Sequence, residues 1–260
     1  MIASGTLDNG GMLMGFPEFM SKLRKLAGIL KVGVYRRALR KGAAAGVEHG
    51  RVLANLRCST AVDIGANRGQ FALVARHCFP DASIFSFEPL SAPAETFSRV
   101  FAGDERVQLF RVAIGPVTGT ATIHVSQRDD SSSLLPITAA QDRLFPGTAE
   151  ARTETISVGR LVDFVAADRI KSPALLKLDV QGFELSALQG CEDLLLRFDW
   201  LYVECSFAEL YEGQALADEV MAWLRLRGFS LSGVYNMSYD GNGKAIQADF
   251  LFRPMPEIRK

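Results

Sequence analysis

The sequence predicts an α/β fold: a doubly wound, mostly parallel sheet with helices on both faces, closed by an antiparallel hairpin and preceded by a helical extension. Three observations predict it. Strand-like apolar runs alternate with helix-length segments from residue 60 onward. A glycine-containing stretch, AVDIGANRGQF (61–71), follows directly from the first of these runs, where the carboxyl end of a strand in an open sheet offers a ligand site. The chain then closes with two strand-like runs joined by YDGNG, a strong hairpin turn.

Residues 1–15 are Gly-rich and expected to be disordered. Over 16–41 the pattern turns helical, with Phe19, Leu23, Leu26, Leu30 and Val34 recurring at three or four, although Gly28 and Gly33 weaken it. A second helix at about 43–56 follows Gly42. Residues 16–56 are thus expected to form an extension, and 57–260 a single catalytic-sized domain with no internal repeat. TAVDI (60–64) reads as a buried strand, 69–79 as a helix stopped before Pro80, ASIFSF (82–87) as a strand and 93–102 as a helix. VQLFRVAI (107–114) is a strand, with GPVTG turning into TATIHVS (120–126) as its hairpin partner. Residues 127–150 are polar, include Ser131–Ser133, and are long enough for a functional loop. A strand at 153–158 and a helix at 159–167 come next, then strand 174–179, helix 183–190 and strand 200–205. A helix over 215–227 ends at Gly228, and strands 229–235 and 246–252 complete the chain.

Composition is that of a globular protein, with 48% apolar and 22% charged residues in a chain of 260. Net charge is zero, which excludes a chain built to coat nucleic acid, but the first 50 residues hold eight Lys/Arg against three Asp/Glu. That basic leader suits either a membrane surface or a helix packed on the domain. The four cysteines (58, 78, 191, 205) form no C-x-x-C pair and the three histidines (49, 77, 124) are scattered, so spacing defines no zinc site. Cys58, Cys191 and Cys205 read as core thiols, and His124 as a structural histidine. No apolar run approaches the roughly 20 residues of a membrane span, and no secretory pattern is expected at the N-terminus. A reducing, cytoplasmic location fits.

The loop at 61–71 has the spacing D-x-G-x-x-x-G. Gly65 permits a sharp turn after Asp63 and Gly69 lets the next helix start close to the sheet. A dinucleotide fingerprint needs a further glycine at the position of Asn67, where pyrophosphate packs on backbone, so NAD is disfavoured. A cofactor without pyrophosphate, S-adenosylmethionine, suits the frame. Glu88 ends the next strand 19 residues after Gly69, where a carboxylate that accepts from ribose hydroxyls is expected.

VDIGANRGQF, FSFEP, SSSLL, LLKLDVQGFELSALQG, YVECSF and QADFLF, in that order from about residue 47 to 252, resemble the FkbM-type methyltransferases. The resemblance implies a class I methyltransferase (Rossmann-like) fold with a seven-stranded sheet, S-adenosylmethionine as cofactor, and O-methylation of a hydroxyl on a sugar, glycolipid, polyketide or similar secondary product. It places Asp63, Gly65, Asn67 and Gly69 in the cofactor loop, Glu88 on the ribose and Ala113 near adenine. Asp179 and Glu184 fall in the signature block, and Glu204 ends the following strand. The family often has Glu where this chain has Gln181, so a base or metal-ligand role at that position does not carry over.

Methyl transfer to an alcohol needs alignment of the reacting atoms and a group that takes the hydroxyl proton. Asp179, Glu184 and Glu204 lie where their carboxylates could converge near the transferred methyl. Asp179 is the candidate base, with an alternative role in holding the cofactor's ammonium group, and Glu184 alternatively supports the signature loop. A divalent cation on these oxygens is possible chemistry but not favoured, because Gln181 supplies no charge. Alternatives from other classes are a non-catalytic Rossmann-like binding protein and an NAD-dependent oxidoreductase. A nucleic-acid methyltransferase fits less well, since the body is acidic and lacks an aromatic–basic stripe.

Overall fold

The structure is a computed structural model and describes residues 26–256. The expectation for 1–15, and the first ten residues of the predicted 16–41 helix, lie outside the described residues. Ten strands run in chain order: β1 (Thr60–Ile64), β2 (Ser83–Phe87), β3 (Val107–Phe110), β4 (Ala113–Ile114), β5 (Gly119–Ser126), β6 (Glu150–Gly159), β7 (Ala174–Leu178), β8 (Trp200–Ser206), β9 (Phe229–Tyr239) and β10 (Ala245–Pro254). The helices are α1 (Gly33–Arg40), α2 (Gly50–Leu53), α3 (Gln70–Cys78), α4 (Ser91–Val100), α5 (Ala139–Leu144), α6 (Glu184–Gly190) and α7 (Ala217–Leu226).

Seven strands form one sheet in the order β3-β2-β1-β7-β8-β10-β9. The first five are parallel and β10 is antiparallel to both its neighbours. The strand order reverses between β1 and β7, the switch point at which such sheets open a crevice. Both strands are buried along their whole length, which is why TAVDI and ALLKL carry no solvent-facing alternation. Successive residues face opposite layers. Val62, Leu176, Leu201 and Phe250 belong to one core, covered by α6 and α7. Ala61, Leu175, Tyr202 and Leu251 belong to the other, together with Phe71 and Leu73 of α3.

Residues 29–53 share that second core: Ile29, Tyr35, Ala38, Val52 and Leu53 are all buried in it. The predicted long helix breaks at Val32 into a helical stretch through Lys31 and α1, and the helix expected over 43–56 is reduced to a 3-10 turn at Val47–His49 followed by α2. Gly46 and Gly50 bracket that turn, and glycine disfavours a continuous helix.

Two other expectations are corrected. The run at 107–114 is not one strand with 120–126 as its hairpin partner. It splits after Phe110, and β4 and β5 instead pair with β6 in a separate three-stranded sheet, order β4-β6-β5. Eight residues of β5–β6 register, with Ile123, Val125 and Ile156 buried around Leu90, outweigh the local turn signal. The helix expected at 159–167 is two 3-10 turns, Leu161–Asp163 and Ala167–Arg169; the Asp163 carboxylate accepts from the Arg160 amide at 3.1 Å and closes the first. The polar loop at 127–150 is folded, with a 3-10 turn at Asp129–Ser131 and α5, and bridges His124 to Ser133 and Ile137 to Tyr211. His124 bonds Glu150 at 2.7 Å, and all four cysteines are free thiols.

Leu53 is fully buried between the helical segment and the sheet, so Leu53→Ala is expected to lower unfolding free energy by about 2–5 kcal/mol in denaturant titration. A loss under about 0.5 kcal/mol, the range of surface sites, would mean that the segment is not part of this core.

Candidate active site

A cavity of about 320 Å³ opens at the carboxyl ends of β1, β2 and β7. Its walls come from the turn after β1 (Gly65–Asn67), the turn after β2 (Glu88–Leu90), the crossing at Val112–Ile114, the loop at Arg128–Leu134 and the turn after β7 (Asp179–Gln181). Glu48, His49 and Gln247 are also part of its lining.

The turn after β1 is a series of left-handed residues: Gly65 at φ 79°, Asn67 at 45° and Gly69 at 91°. A Cβ on Gly65 would lie 1.8 Å from the Asp179 carbonyl oxygen, so only glycine lets this turn abut the end of β7. A Cβ on Gly69 would lie 2.7 Å from the Phe101 ring, so this glycine seats α3 against the end of α4. Asn67 tolerates its left-handed backbone because its short amide bonds locally: Oδ1 accepts from the Arg68 amide at 2.8 Å.

Glu88 is buried, and its carboxylate accepts from two backbone amides, Asn67 N at 2.9 Å and Leu90 N at 2.8 Å. It therefore ties the β1 turn to the β2 turn while lining the cavity. Burial pushes its pKa up to about 7, with the two amides and Lys177 pulling the other way.

Below the cavity a polar row crosses the sheet on the α3 face. Ser86, Asp63, Lys177 and Tyr202 are successive register partners on β2, β1, β7 and β8. The Lys177 ammonium donates to the Gly65 carbonyl at 3.0 Å and lies 3.2 Å from Asp63 Oδ1 and 3.6 Å from Asp179 Oδ2. Asp63 has no exposure at all, and desolvation raises its pKa against the pull of Lys177. Desolvation works to lower the Lys177 pKa, but Asp63 and Asp179 outweigh it and the net shift is upward.

Asp179 stands above this row with its side chain one-third exposed to the cavity. Gln181, at φ 55°, donates from Nε2 to Asp179 Oδ1 at 2.7 Å and to Glu204 Oε2 at 2.9 Å, while its Oε1 accepts from the Tyr211 hydroxyl at 2.8 Å. Gln247 donates to the other Glu204 oxygen at 2.9 Å. Desolvation, then the Asp179 and Asp249 charges, hold the Glu204 carboxyl well above the usual range. Glu184 is buried under the loop and accepts from the Val180 and Gly182 amides, both at 3.1 Å; desolvation pushes its pKa up to about 7.

At the wall formed by the N-terminal segment, His49 Nδ1 is 3.2 Å from the Tyr202 hydroxyl and 3.5 Å from Asp249 Oδ2. Tyr202 and Asn236 both donate to that Asp249 oxygen, at 2.8 and 2.7 Å.

Of the sequence-predicted residues, Gly65, Asn67, Glu88, Ala113 and Asp179 line the cavity together. Asp63, Gly69, Glu184 and Glu204 lie behind the lining: Asp63 meets Lys177, Gly69 meets Phe97 and Phe101, Glu184 caps the signature loop and Glu204 lies under the two glutamines. Among the described residues, no group of three or more His, Cys, Asp or Glu side chains is arranged to hold a metal ion. Sequence reasoning missed Lys177, His49, Gln247 and Asp249. Lys177 had a signal, a lone charge inside the apolar run ALLKL; His49 and Asp249 meet only through the fold.

The sheet order, the glycine turn at the switch point and the acid closing β2 define a class I methyltransferase architecture. The methyltransferase FkbM domain model matches residues 63–231, and the chain belongs to that family. It is 29% identical over 164 residues to 2-O-methyltransferase NoeI of Sinorhizobium fredii, covering 59% of this chain and 65% of that protein. It is 30% identical over 195 residues to 31-O-demethyl-FK506 methyltransferase FkbM of Streptomyces tacrolimicus, covering 65% and 72%. To the hexuronic acid methyltransferase AglP of Haloferax volcanii it is 29% identical over 143 residues, covering 55% and 54%. The matches thus span just under two thirds of NoeI and about half of AglP. Among solved structures, precorrin-6y C5,15-methyltransferase of Geobacter metallireducens superposes with a TM-score of 0.44 at 10% identity, over 79% of this chain and 84% of that one, a likeness too distant to inform the chemistry.

The buried Asp63–Lys177 pair makes a sharp expectation. Lys177→Met leaves Asp63 buried and unpaired and is expected to cost about 3–5 kcal/mol of stability, whereas Asp63→Asn with Lys177→Met is expected to recover most of it. A chemical-denaturation double-mutant cycle reads this. Additive losses would mean that the two charges do not compensate each other.

Proposed function

We propose that this protein is an S-adenosylmethionine-dependent O-methyltransferase acting on a hydroxyl of a sugar, glycolipid, polyketide or similar secondary product. The observation that carries this reading is the pairing, across one cavity of small-molecule size, of Glu88 on one wall with Asp179 on another, joined by the Gly65–Gly69 turn. The names of the FkbM, NoeI and AglP relatives support hydroxyl-bearing natural products and sugars as acceptors.

The donor set fits that cofactor. Both Glu88 oxygens are oriented by backbone amides, which leaves lone pairs for ribose hydroxyls. Ala113, between Val112 and Ile114, offers an apolar wall for adenine, and Asn67 and Gly65 bring backbone to the cavity. S-adenosylmethionine would supply an electrophilic methyl group on a positively charged sulfur. The protein's part is to exclude water, orient the acceptor and move one proton. An alcohol oxygen is a weak nucleophile while protonated, and Asp179 is assigned as the group that accepts its hydrogen. Gln181 fixes one Asp179 oxygen and Lys177 faces the other, so the carboxylate is held in one orientation. Glu204 and Glu184 act through Gln181 and the signature loop, and Asp63 acts through Lys177.

We further assign 57–260 as the catalytic domain and 16–56 as its extension. The burial of Ile29, Tyr35 and Leu53 in the domain core supports packing of the extension's described part. A cytoplasmic location is in keeping with four unpaired thiols. Among the described residues no helix is long and apolar enough to cross a membrane.

Calorimetry with S-adenosylhomocysteine, S-adenosylmethionine and NAD is the first test. Binding of the two adenosyl ligands and not of NAD is expected; the reverse would replace the reading with an oxidoreductase, and no binding would favour a non-catalytic protein. Once an acceptor is found by screening hydroxylated sugars and glycolipids with labelled cofactor, Asp179→Asn is expected to lose about 10²–10⁴ in rate while retaining S-adenosylhomocysteine affinity. A parallel loss of affinity would instead make Asp179 a cofactor ligand.

A further inference from the structure

The helical segment from Leu26 to Lys41 is docked by one face only. Ile29, Tyr35 and Ala38 are buried in the core with α3. Flanking that buried stripe, Leu26 (44%), Leu30 (48%) and Leu39 (39%) are left partly exposed. Interspersed with them are five exposed cations, Lys31, Arg36, Arg37, Arg40 and Lys41, and the segment contains no acid. Arg36, Arg40 and Lys41 bond backbone carbonyls (Leu30, Arg36 and Arg99), and among the described residues none of the five pairs with a carboxylate. In the groove beside α1, Arg37 and Lys41 carry the charge onward, while Arg76 is paired with Asp104 and Arg106 with Asp81.

This concentration of charge is local. Beyond residue 50 the chain holds 21 basic and 26 acidic residues, so the body is weakly negative and the helical segment strongly positive. Such a distribution orients a molecule on an anionic surface. A nucleic acid would satisfy the cations but leave the exposed leucines in water, and the segment's aromatic residue, Tyr35, is buried and cannot stack on bases. A bilayer interface satisfies both, with acyl-chain contact for the leucines and lipid phosphates for the arginines.

We propose that the outer face of residues 26–41 is a docking surface for an anionic lipid bilayer. It holds the enzyme peripherally, without insertion of a spanning helix. The inference is independent of which hydroxyl the cavity serves. Each cation near an anionic surface contributes roughly a fivefold gain in partitioning, screened by salt.

The test is co-sedimentation of the full chain with phosphatidylcholine vesicles, with and without phosphatidylglycerol. Binding only to the anionic vesicles, weakening with added salt, is expected. The triple variant Arg36→Glu/Arg37→Glu/Arg40→Glu is expected to lose binding by more than roughly 100-fold, and Leu30→Ser/Leu39→Ser by roughly tenfold. All three arginines are exposed, so the charge-reversed variant should keep a cooperative melting transition near the wild-type temperature, and the leucine variant, at half-buried positions, is compared only after its own melting curve shows a folded protein. Equal binding to neutral vesicles, no binding to anionic ones, or undiminished binding of the charge-reversed variant would overturn the proposal. So would displacement of the protein from the vesicles by a duplex oligonucleotide at equal charge concentration.

Discussion

The ion pair between Asp63 and Lys177 is the constraint on which the candidate site depends. Both residues are buried at the switch point of the sheet, as register partners on β1 and β7. Removing two charges from water is costly unless the pair is close and its remaining polar atoms are satisfied. Lys177 meets that requirement on its own side by also donating to the Gly65 carbonyl and facing Asp179, whereas the Asp63 oxygens have no hydrogen-bond partner among the described residues and rely on the ammonium 3.2 Å away. One ammonium group therefore takes its partners from the glycine turn after β1 and the signature turn after β7. The relative placement of the two walls is set beneath the cavity rather than by the loops themselves, and loops held this way can be irregular and still be precise. Left-handed Asn67 and Gln181 are the irregular positions, and both side chains bond within their own turns.

Around that pair the site is rich in carboxylates. Asp63, Asp179, Glu184, Glu204 and Asp249 lie near enough to influence one another, against the single Lys177 and the His49 ring. The chain manages this with neutral donors. Gln181 and Gln247 each give a hydrogen bond to Glu204, Asn236 and Tyr202 each give one to Asp249, and backbone amides serve Glu88 and Glu184. Asp179 is the acid of this group that is left partly open to the cavity. The base role proposed for Asp179 requires that combination of fixed orientation and a free face.

Much of this was legible in the sequence because the signals were local. A buried run ending in D-x-G-x-x-x-G, an acid at the end of the next strand and YDGNG between the last strands each report on their own few residues, and they placed the cavity wall from Gly65 to Glu88 and the closing hairpin correctly. What escaped depends on residues far apart in the chain. The three-stranded sheet needs β4, β5 and β6 to find one another across the 127–150 loop, and the local turn at GPVTG pointed to the wrong partner. His49 reaches Asp249 across 200 positions, and no spacing rule covers that. For Glu184 the sequence left the loop and the cavity both open, and for Glu204 it gave no sign of a place behind the lining: an acid at the right place in a motif looks the same whether it faces the cavity or the loop behind it.

The central claim is that the Glu88 carboxylate receives the cofactor's ribose hydroxyls, and its titration offers a direct measurement. Burial holds the Glu88 pKa at about 7, above its ordinary 4.5. If the ligand requires the ionised form, Glu88 must lose its proton on binding. S-adenosylhomocysteine affinity, measured by calorimetry as a function of pH, should then be level above about 8 and fall roughly tenfold per unit below 7, with proton release in that range. Glu88→Gln should bind more weakly at pH 8 and lose this pH dependence. A pH-independent affinity in the wild type, or a Glu88→Gln variant that binds as tightly, would contradict the account and place the ribose elsewhere in the cavity.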